Sequence, residues 1–134
     1  MDSKRLIRIW LVGTIIIVAG CGSREVKPID IFPEDNCSHC KMTVSQTLPF
    51  ASEIITEDNE IYKFDDIGCM EYFKQKSPSL SIAAIFVKDY ESKQWLRYEN
   101  ATIVTTNIMT PMGSGKAAFS NSSKAREFAQ KYTR

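Results

Sequence analysis

The chain has 134 residues, of which 25% are charged, and its formal net charge is +1. This length suits one compact domain, and the near-balanced charge excludes the strongly basic surface that nucleic-acid binding requires. The sequence also lacks a phosphate-binding loop, a Ser-His-Asp arrangement and paired carboxylates of the kind used in catalysis. Neither a nucleic-acid partner nor an enzymatic activity is therefore expected.

The first twenty residues have the pattern of a bacterial lipoprotein signal peptide. Lys4, Arg5 and Arg8 precede an apolar run over residues 9–19, which is shorter than the roughly 20 residues that cross a membrane. The run closes with "VAGC", and Cys21 occupies the position at which such precursors are cut and acylated. Two or more acyl chains anchor a protein stably, because each buried CH₂ contributes about 0.8 kcal/mol. We therefore predict cleavage before Cys21 and a lipid anchor on its thiol.

The mature chain would lie in the cell envelope, on the periplasmic or extracytoplasmic side of a membrane. It carries 14 Lys and Arg against 15 Asp and Glu, a net charge of −1. Residues 21–34 are polar with two prolines and are predicted to be a tether between the lipid and the domain. The domain itself is expected to cover residues 35–134.

Short alternating or apolar runs predict a mostly antiparallel set of strands. Two of them form a predicted hairpin around the turn at 57–60, and the run at 82–90 is apolar enough to be buried on both faces. Residues 107–116 are predicted to be a loop because of their proline and glycine content. The predicted strands are 50–57, 61–64, 82–90, 95–98, 101–106 and 117–120.

Two helices complete the predicted fold. The first is capped by Asp65 or Asp66 and ends near Lys76, before a Ser-Pro pair. The last begins near residue 122, and its spacing places four side chains on one face. These side chains are Ala125, Phe128, Ala129 and Tyr132. The predicted fold class is α+β, with small mostly antiparallel sheets and two helices.

The segment "DNCSHCKM", residues 35–42, places two cysteines, the only histidine and a methionine within eight residues. If Cys21 carries the lipid, three cysteines remain, namely Cys37, Cys40 and Cys69. An odd number of cysteines in an oxidising compartment argues against a purely structural disulfide framework. It leaves either a free thiol or a metal site.

The four methionines other than the initiator lie beside a cysteine or in the glycine-containing loop. Thiolate and thioether are soft donors that select Cu(I), whereas zinc rarely takes methionine and hard cations prefer oxygen. A Cu(I) site with two or three ligands can pass the ion on by exchanging one donor at a time, unlike a closed tetrahedral zinc site. The alternative is that the methionines fill gaps in the hydrophobic core. The candidate Cu(I) ligands are Cys37, Cys40, Met42, Cys69, Met70, Met109 and Met112.

Four polar residues are expected around this site rather than in it. Asp35 is expected to accept hydrogen bonds from loop amides, and Asp65 and Asp66 lie close to Cys69 in sequence. His39 lies inside the Cys-x-x-Cys segment, so its ring cannot easily reach a metal held by its neighbours. It either lowers the pKa of a thiol or binds the ion.

Four segments together resemble the NosL family, the nitrous oxide reductase accessory lipoproteins. They are "CSHCKMTV", "KFDDIGCMEYF", "VKDYESKQW" and "TPMGSGKAAF", the last of which precedes a final helix with "AREFA". Their order and spacing match from about Asp35 to Tyr132, and the lipoprotein box also fits. The combination is much more specific than any one of the motifs.

The resemblance implies a Cu(I)-binding lipoprotein that delivers copper for the copper–sulfur centre of nitrous oxide reductase, or for another copper enzyme. It implies a membrane ABC-type assembly complex as a further partner. It also implies a fold of small ββαβ units similar to that of organomercurial lyase. The predicted hairpin, helix and strand over residues 50–90 are compatible with one such unit.

Two other interpretations of the cysteines remain open. A Cys-x-x-Cys pair with an internal histidine suits a thiol-disulfide oxidoreductase, but that chemistry usually places the pair at the start of a helix after a βαβ strand. Here "KMTVSQTLPF" follows, which is β-branched and has poor helix propensity. A zinc-stabilised domain using Cys37, Cys40 and Cys69 is the other possibility, and it gives the methionines no role.

Overall fold

The computed structural model describes residues 25–133 as an α+β fold, which confirms the predicted class. This range contains two antiparallel sheets, two α-helices and two short 3-10 segments. The strands are β1 (Ser52–Thr56), β2 (Ile61–Phe64), β3 (Ile82–Lys88), β4 (Trp95–Arg97), β5 (Thr102–Thr105) and β6 (Lys116–Phe119). The helices are α1 (Ile67–Lys76) and α2 (Ser122–Tyr132), and the 3-10 segments are Val44–Phe50 and Tyr98–Asn100.

The ββαβ unit that the family resemblance implied is formed by β1, β2, α1 and β3, in this order along the chain. β1 lies inside a four-stranded sheet with the order β2-β1-β3-β4, and each neighbouring pair is antiparallel. All five residues of β1 are buried, because α1 covers one face of the sheet and the N-terminal segment covers the other. The main core lies on the helix side and includes Ile54, Phe64, Ile67, Met70, Ile85 and Val87.

The N-terminal segment of the described chain lies against the sheet face opposite α1. Residues 25–34 fall within the predicted tether, yet Val26 packs with Phe86 in a second hydrophobic cluster. The backbone N–H of Ile29 donates a hydrogen bond to the buried carboxylate of Glu53 at 3.0 Å. This part of the chain is therefore packed against the folded unit. The predicted signal peptide and the anchor residue lie outside the described residues, and within 25–133 no helix has both the length and the apolar character to span a membrane.

The later part of the described chain forms a smaller ββα layer. β5 pairs with β6, and α2 packs against both strands. The predicted apolar face of α2 is confirmed, because Ala125 is fully buried and the Phe128 ring packs on Tyr90 and Phe119 at centroid distances of 4.7 and 5.0 Å. This layer has no third strand after α2 among the described residues, so it is not a second complete ββαβ unit.

Asp89 joins the two layers. It follows β3, and its carboxylate accepts hydrogen bonds from the N–H groups of Glu91 and Ser92 and from that of Ser120, just after β6. Burial raises the pKa of Asp89, but the hydrogen bonds from Ser92 and Ser120 outweigh it and lower the pKa from 3.8 to about 2. The ionised carboxylate therefore holds the β3 turn and the end of β6 together.

The segment after the Cys-x-x-Cys pair differs from a regular helix. Val44–Phe50 is a 3-10 segment with a kink at Thr47, whose dihedral angles are not helical, and it contains Pro49. The cysteine pair therefore does not begin an α-helix, which is the context expected for a thiol-disulfide oxidoreductase. Four strands, β1, β3, β4 and β5, are shorter than predicted, whereas β2 has the predicted bounds and β6 is shifted by one residue. Tyr98 starts a 3-10 segment instead of ending a strand.

Candidate metal centre

The Cys-x-x-Cys segment folds as a tight turn that is held by its own backbone. The N–H of Cys37 donates to the carbonyl of Met42 at 2.8 Å, and the N–H of Lys41 donates to the carbonyl of Cys37 at 3.0 Å. Lys41 has a φ of 67°, in the left-handed region that allows so sharp a reversal. The N–H of Cys40 donates to the Sγ of Cys37, 3.5 Å away, so the turn also holds the first sulfur in place.

The junction between β2 and α1 supplies the other half of the site. Asp65 is fully buried there, and the Cys40 thiol donates to both of its carboxylate oxygens at 3.3 Å. Asp66 instead caps α1 by accepting a hydrogen bond from the N–H of Gly68 at 2.7 Å. Cys69 follows in the first turn of α1 and is also buried. The two adjacent acidic residues thus have different functions.

Four donor groups converge where the turn meets this junction. Ligand atoms of Cys37, Cys40, Asp65 and Cys69 all lie within 4.8 Å of one another. Sulfur atoms bound to one ion at about 2.3 Å are roughly 4 Å apart, so a small contraction would complete the coordination. The described part of the chain therefore contains a nearly assembled site of three thiols and one carboxylate.

The surroundings of the thiols disfavour negative charge unless a cation is present. Burial, with hydrogen bonds to Cys37 and Asp65, raises the pKa of Cys40 to about 11. Burial also raises the pKa of Cys69, and the charges of Cys37, Asp65 and Cys40 raise it further. A bound metal ion reverses this balance, because it stabilises the thiolates and displaces their protons. The arrangement is therefore suited to a cation and poorly suited to a free, reactive thiolate.

The glycine-containing loop before β6 forms the outer wall of the site. Besides capping α1, Asp66 accepts hydrogen bonds from the N–H of Met112, at 3.0 Å, and from the hydroxyl of Ser114. Burial raises the pKa of Asp66, but the hydrogen bonds from Ser114, Thr110 and these amides outweigh it and lower the pKa. The close approach requires Gly68, since a Cβ there would lie 2.6 Å from the Cβ of Ser114. The Asp66 carboxylate thus fixes the loop before β6 to α1, the helix that carries Cys69.

The site opens to solvent through a cavity of about 240 Å³. The ring of His39 packs on that of Tyr72 at this mouth, with a centroid distance of 4.7 Å. The lining residues are His39, Gly68, Cys69, Tyr72, Met112 and Ser114. A larger cavity of about 630 Å³ lies beside the β1–β2 turn, but no cysteine, histidine or methionine lines it. The smaller cavity is therefore the one that gives access to the donor cluster.

The family model named NosL matches residues 28–133, most of the chain. The chain belongs to the NosL family. Its fold is similar to a crystal structure described as the copper chaperone NosL from Shewanella denitrificans, with a TM-score of 0.70. That match has 18% sequence identity and covers 79% of this chain and 87% of the other, and at this identity it shows a shared fold. No curated protein sequence matches the chain. The family assigned by resemblance is confirmed.

The four candidate methionine ligands of this NosL-family chain lie in different environments. Met112 lines the mouth together with Cys69. Met70 follows Cys69 on α1, about 100° further round the helix, and it is fully buried in the main hydrophobic core. Met42 and Met109 lie on the surface, where they are 48% and 93% exposed. The structure therefore brings Met112 to the mouth, whereas Met70 has the packing role of a core residue.

The four polar residues expected around the site also differ in position. Asp65 lies among the thiols and is itself a candidate ligand, although its sequence position suggested a supporting role. The sequence contained one signal for a separate role of Asp65: two acidic residues follow β2, whereas the N-terminus of α1 needs only one of them as a cap. Asp66 holds the loop, and His39 lies at the mouth. Asp35 accepts a hydrogen bond from a loop amide, as predicted, and another from the buried ammonium of Lys63, which was not predicted.

Two glycines of the loop before β6 provide a matched test of how closely this loop packs. Gly113 and Gly115 both have positive φ, but a Cβ at Gly115 would lie 2.1 Å from the carbonyl oxygen of Thr106, whereas one at Gly113 would meet nothing within 4 Å. We expect Gly113→Ala to cost about 1–2 kcal/mol from the backbone conformation alone. Gly115→Ala should cost clearly more, roughly 3 kcal/mol or above. Urea unfolding measures both variants, and equal losses would contradict the packing of this wall.

Proposed function

We propose that this NosL-family protein is an extracytoplasmic Cu(I) chaperone that is anchored by a lipid on Cys21 and has no catalytic activity. It delivers copper to a copper enzyme, with the copper–sulfur centre of nitrous oxide reductase as its destination and a membrane ABC-type complex as its partner. The observation that carries the proposal is the convergence of Cys37, Cys40, Asp65 and Cys69 within 4.8 Å. The similar protein from Shewanella denitrificans, which is described as a copper chaperone, supports it.

The donor types favour Cu(I) over zinc. Three thiols are sufficient for Cu(I), which accepts linear or trigonal geometry, whereas zinc requires a fourth ligand. In a Cu(I) site, three thiolates are sufficient, so Asp65 need not bind the ion; in the metal-free chain its carboxylate accepts the hydrogen of the Cys40 thiol. In a zinc site, the same carboxylate would have to be the fourth ligand. Asp65 therefore distinguishes the two metals.

The accessibility of the donors suits transfer rather than storage. Cys37 is fully buried, but Cys40 is partly exposed and Cys69 lines the mouth. An incoming donor from a recipient can approach through the mouth and displace one thiolate at a time. Met112 lies on that route, and its thioether is a soft donor. The open side of the site is thus lined by exchangeable ligands.

The thiol-disulfide oxidoreductase is disfavoured by the same geometry. Reactive Cys-x-x-Cys pairs have a lowered thiol pKa at the start of a helix. Here the pair precedes a kinked 3-10 segment instead of beginning an α-helix. Rapid dithiol exchange with a model peptide would support the oxidoreductase against our proposal.

The recipient and the anchor rest on the family resemblance and on the lipoprotein box "VAGC". Nitrous oxide reductase purified from cells without this protein should lack copper in its copper–sulfur centre. The native protein should take up labelled palmitate, and a Cys21→Ala protein should take up none. A nitrous oxide reductase that is fully loaded with copper in cells without this protein would exclude the enzyme as the recipient.

Metal competition measures the proposed cargo. We expect the reduced chain to bind one Cu(I) in anaerobic titrations against a Cu(I) chelator. Each of Cys37→Ser, Cys40→Ser and Cys69→Ser should weaken this affinity by roughly tenfold or more, because a thiolate ligand is lost. Asp65→Asn should weaken Zn(II) binding much more than Cu(I) binding. The proposal would be contradicted if the native chain preferred Zn(II), or if Cys69→Ser left the affinity for Cu(I) unchanged.

The exposed methionines provide a matched pair for the transfer step. Leucine keeps the apolar volume of methionine and removes the sulfur, so Met112→Leu should slow Cu(I) transfer to a chelator in stopped-flow experiments. Met109→Leu is the control, because Met109 is 93% exposed and does not line the mouth. Equal transfer rates for the two variants would show that Met112 takes no part in the exchange.

A further inference from the structure

Lys63 is a buried cation that contacts the segment before the Cys-x-x-Cys pair. It lies on β2, and its side chain is only 10% exposed. Its ammonium group donates to the carboxylate of Asp35 and to the carbonyl of Asp30, both at 2.6 Å. It also lies over the ring of Phe32, 5.1 Å from the centroid. Three points of the chain before Cys37 are thus held by one side chain.

The backbone around Lys63 contacts the donor cluster directly. Its carbonyl accepts a hydrogen bond from the N–H of Ser38, at 2.8 Å, and Ser38 lies between the two cysteines of the turn. Two residues after Lys63, Asp65 accepts the hydrogen of the Cys40 thiol. The short stretch from Lys63 to Asp65 therefore holds the cysteine turn from its N-terminal side, at its middle and at its second thiol.

Buried charge makes this contact hard to replace. Glu53 lies opposite Lys63 in the β1–β2 pairing and is fully buried, with one carboxylate oxygen that has no hydrogen-bond partner. Burial raises the pKa of Glu53 to about 7, and the charge of Lys63 acts in the opposite direction. Without the ammonium group, Glu53 and Asp35 would share a poorly solvated region with reduced compensation. Lys63 therefore stabilises this region in two ways, through its hydrogen bonds to Asp30 and Asp35 and through its charge, which offsets that of Glu53.

We propose that Lys63 is a positioning residue for the metal centre, which fixes the segment before Cys37 so that the cysteine turn meets Asp65 and Cys69. The proposal rests on the proposed function for the identity of the ion. The positioning itself is a property of the metal-free chain. Supporting residues of this kind change metal affinity by roughly tenfold to a hundredfold when they are removed.

The test compares Lys63→Met with Lys63→Arg and Lys88→Met in the full mature chain. Lys63→Arg keeps a cation that can donate to Asp35. Lys88→Met is the control, because Lys88 also acts on the charge of Glu53 from β3 and interacts electrostatically with Asp30. Its ammonium lies over Trp95, and among the interactions described for residues 25–133 it makes no hydrogen bond to the segment before the cysteines. Asp35→Asn is a milder variant that removes the charge and keeps a hydrogen-bond acceptor, in case Lys63→Met does not fold.

Two measurements are made on each variant. The alkylation rate of Cys37 and Cys40 in the metal-free chain should rise several-fold in Lys63→Met and Asp35→Asn, and remain native in Lys63→Arg and Lys88→Met. Cu(I) affinity, followed by the thiolate-to-copper absorption band, should fall roughly tenfold or more in Lys63→Met and recover in Lys63→Arg.

The outcomes separate this inference from the proposed function. Lower unfolding stability with native alkylation rates and native Cu(I) affinity would overturn the positioning role, and so would equal effects of Lys63→Met and Lys88→Met. If the native chain binds no Cu(I), the proposed function fails, but the alkylation rates still decide whether Lys63 positions the turn.

Discussion

The contact between the Cys40 thiol and the Asp65 carboxylate is the interaction on which the rest of the structure depends. It joins a turn near the start of the domain to the junction of β2 and α1, 25 residues later in the chain. Asp65 is fully buried and Cys40 is partly exposed, and the two neighbouring thiols, Cys37 and Cys69, are buried acidic groups. Such a cluster is unfavourable when ionised and alone, and it becomes favourable when a cation replaces the thiol protons.

The surrounding fold keeps this unfavourable cluster assembled. On one side, Asp66 connects the helix cap to the outer loop, and the absence of a side chain at Gly68 permits that contact. On the other side, Lys63 fixes the segment that enters the cysteine turn. The β-sheet provides the rigid support, because β1 is buried on both faces. Few of these contacts involve the cysteines themselves, yet they determine where the thiols meet.

Local patterns predicted the parts of this fold that depend on local forces. The β-branched runs, the acidic cap of α1 and the apolar face of α2 each follow from backbone preference and side-chain period, so their positions are close to those observed. The convergence of the cysteines was expected from their chemistry and from the family resemblance. Spacing alone did not establish it, because the contact spans separate elements.

Residues whose position depends on tertiary contacts were harder to predict. Nothing local distinguishes Asp65 from Asp66, and only the packing of the turn directs one to a thiol and the other to the loop. Residues 25–34 look like a tether because they are polar, whereas their contacts include backbone groups that sequence hydropathy does not reveal. Met70 was predicted as a ligand because it follows Cys69 in sequence, whereas it lies about 100° further round α1 and is buried in the main core.

The central claim is that the three thiols of residues 37, 40 and 69 bind one soft ion together. X-ray absorption at the copper edge of the Cu(I)-loaded chain tests it most directly. We predict a first shell of three sulfur atoms at about 2.2–2.3 Å, typical of metal–thiolate distances, which loses one sulfur in Cys69→Ser. A first shell of nitrogen or oxygen, or one that Cys69→Ser leaves unchanged, would contradict the account.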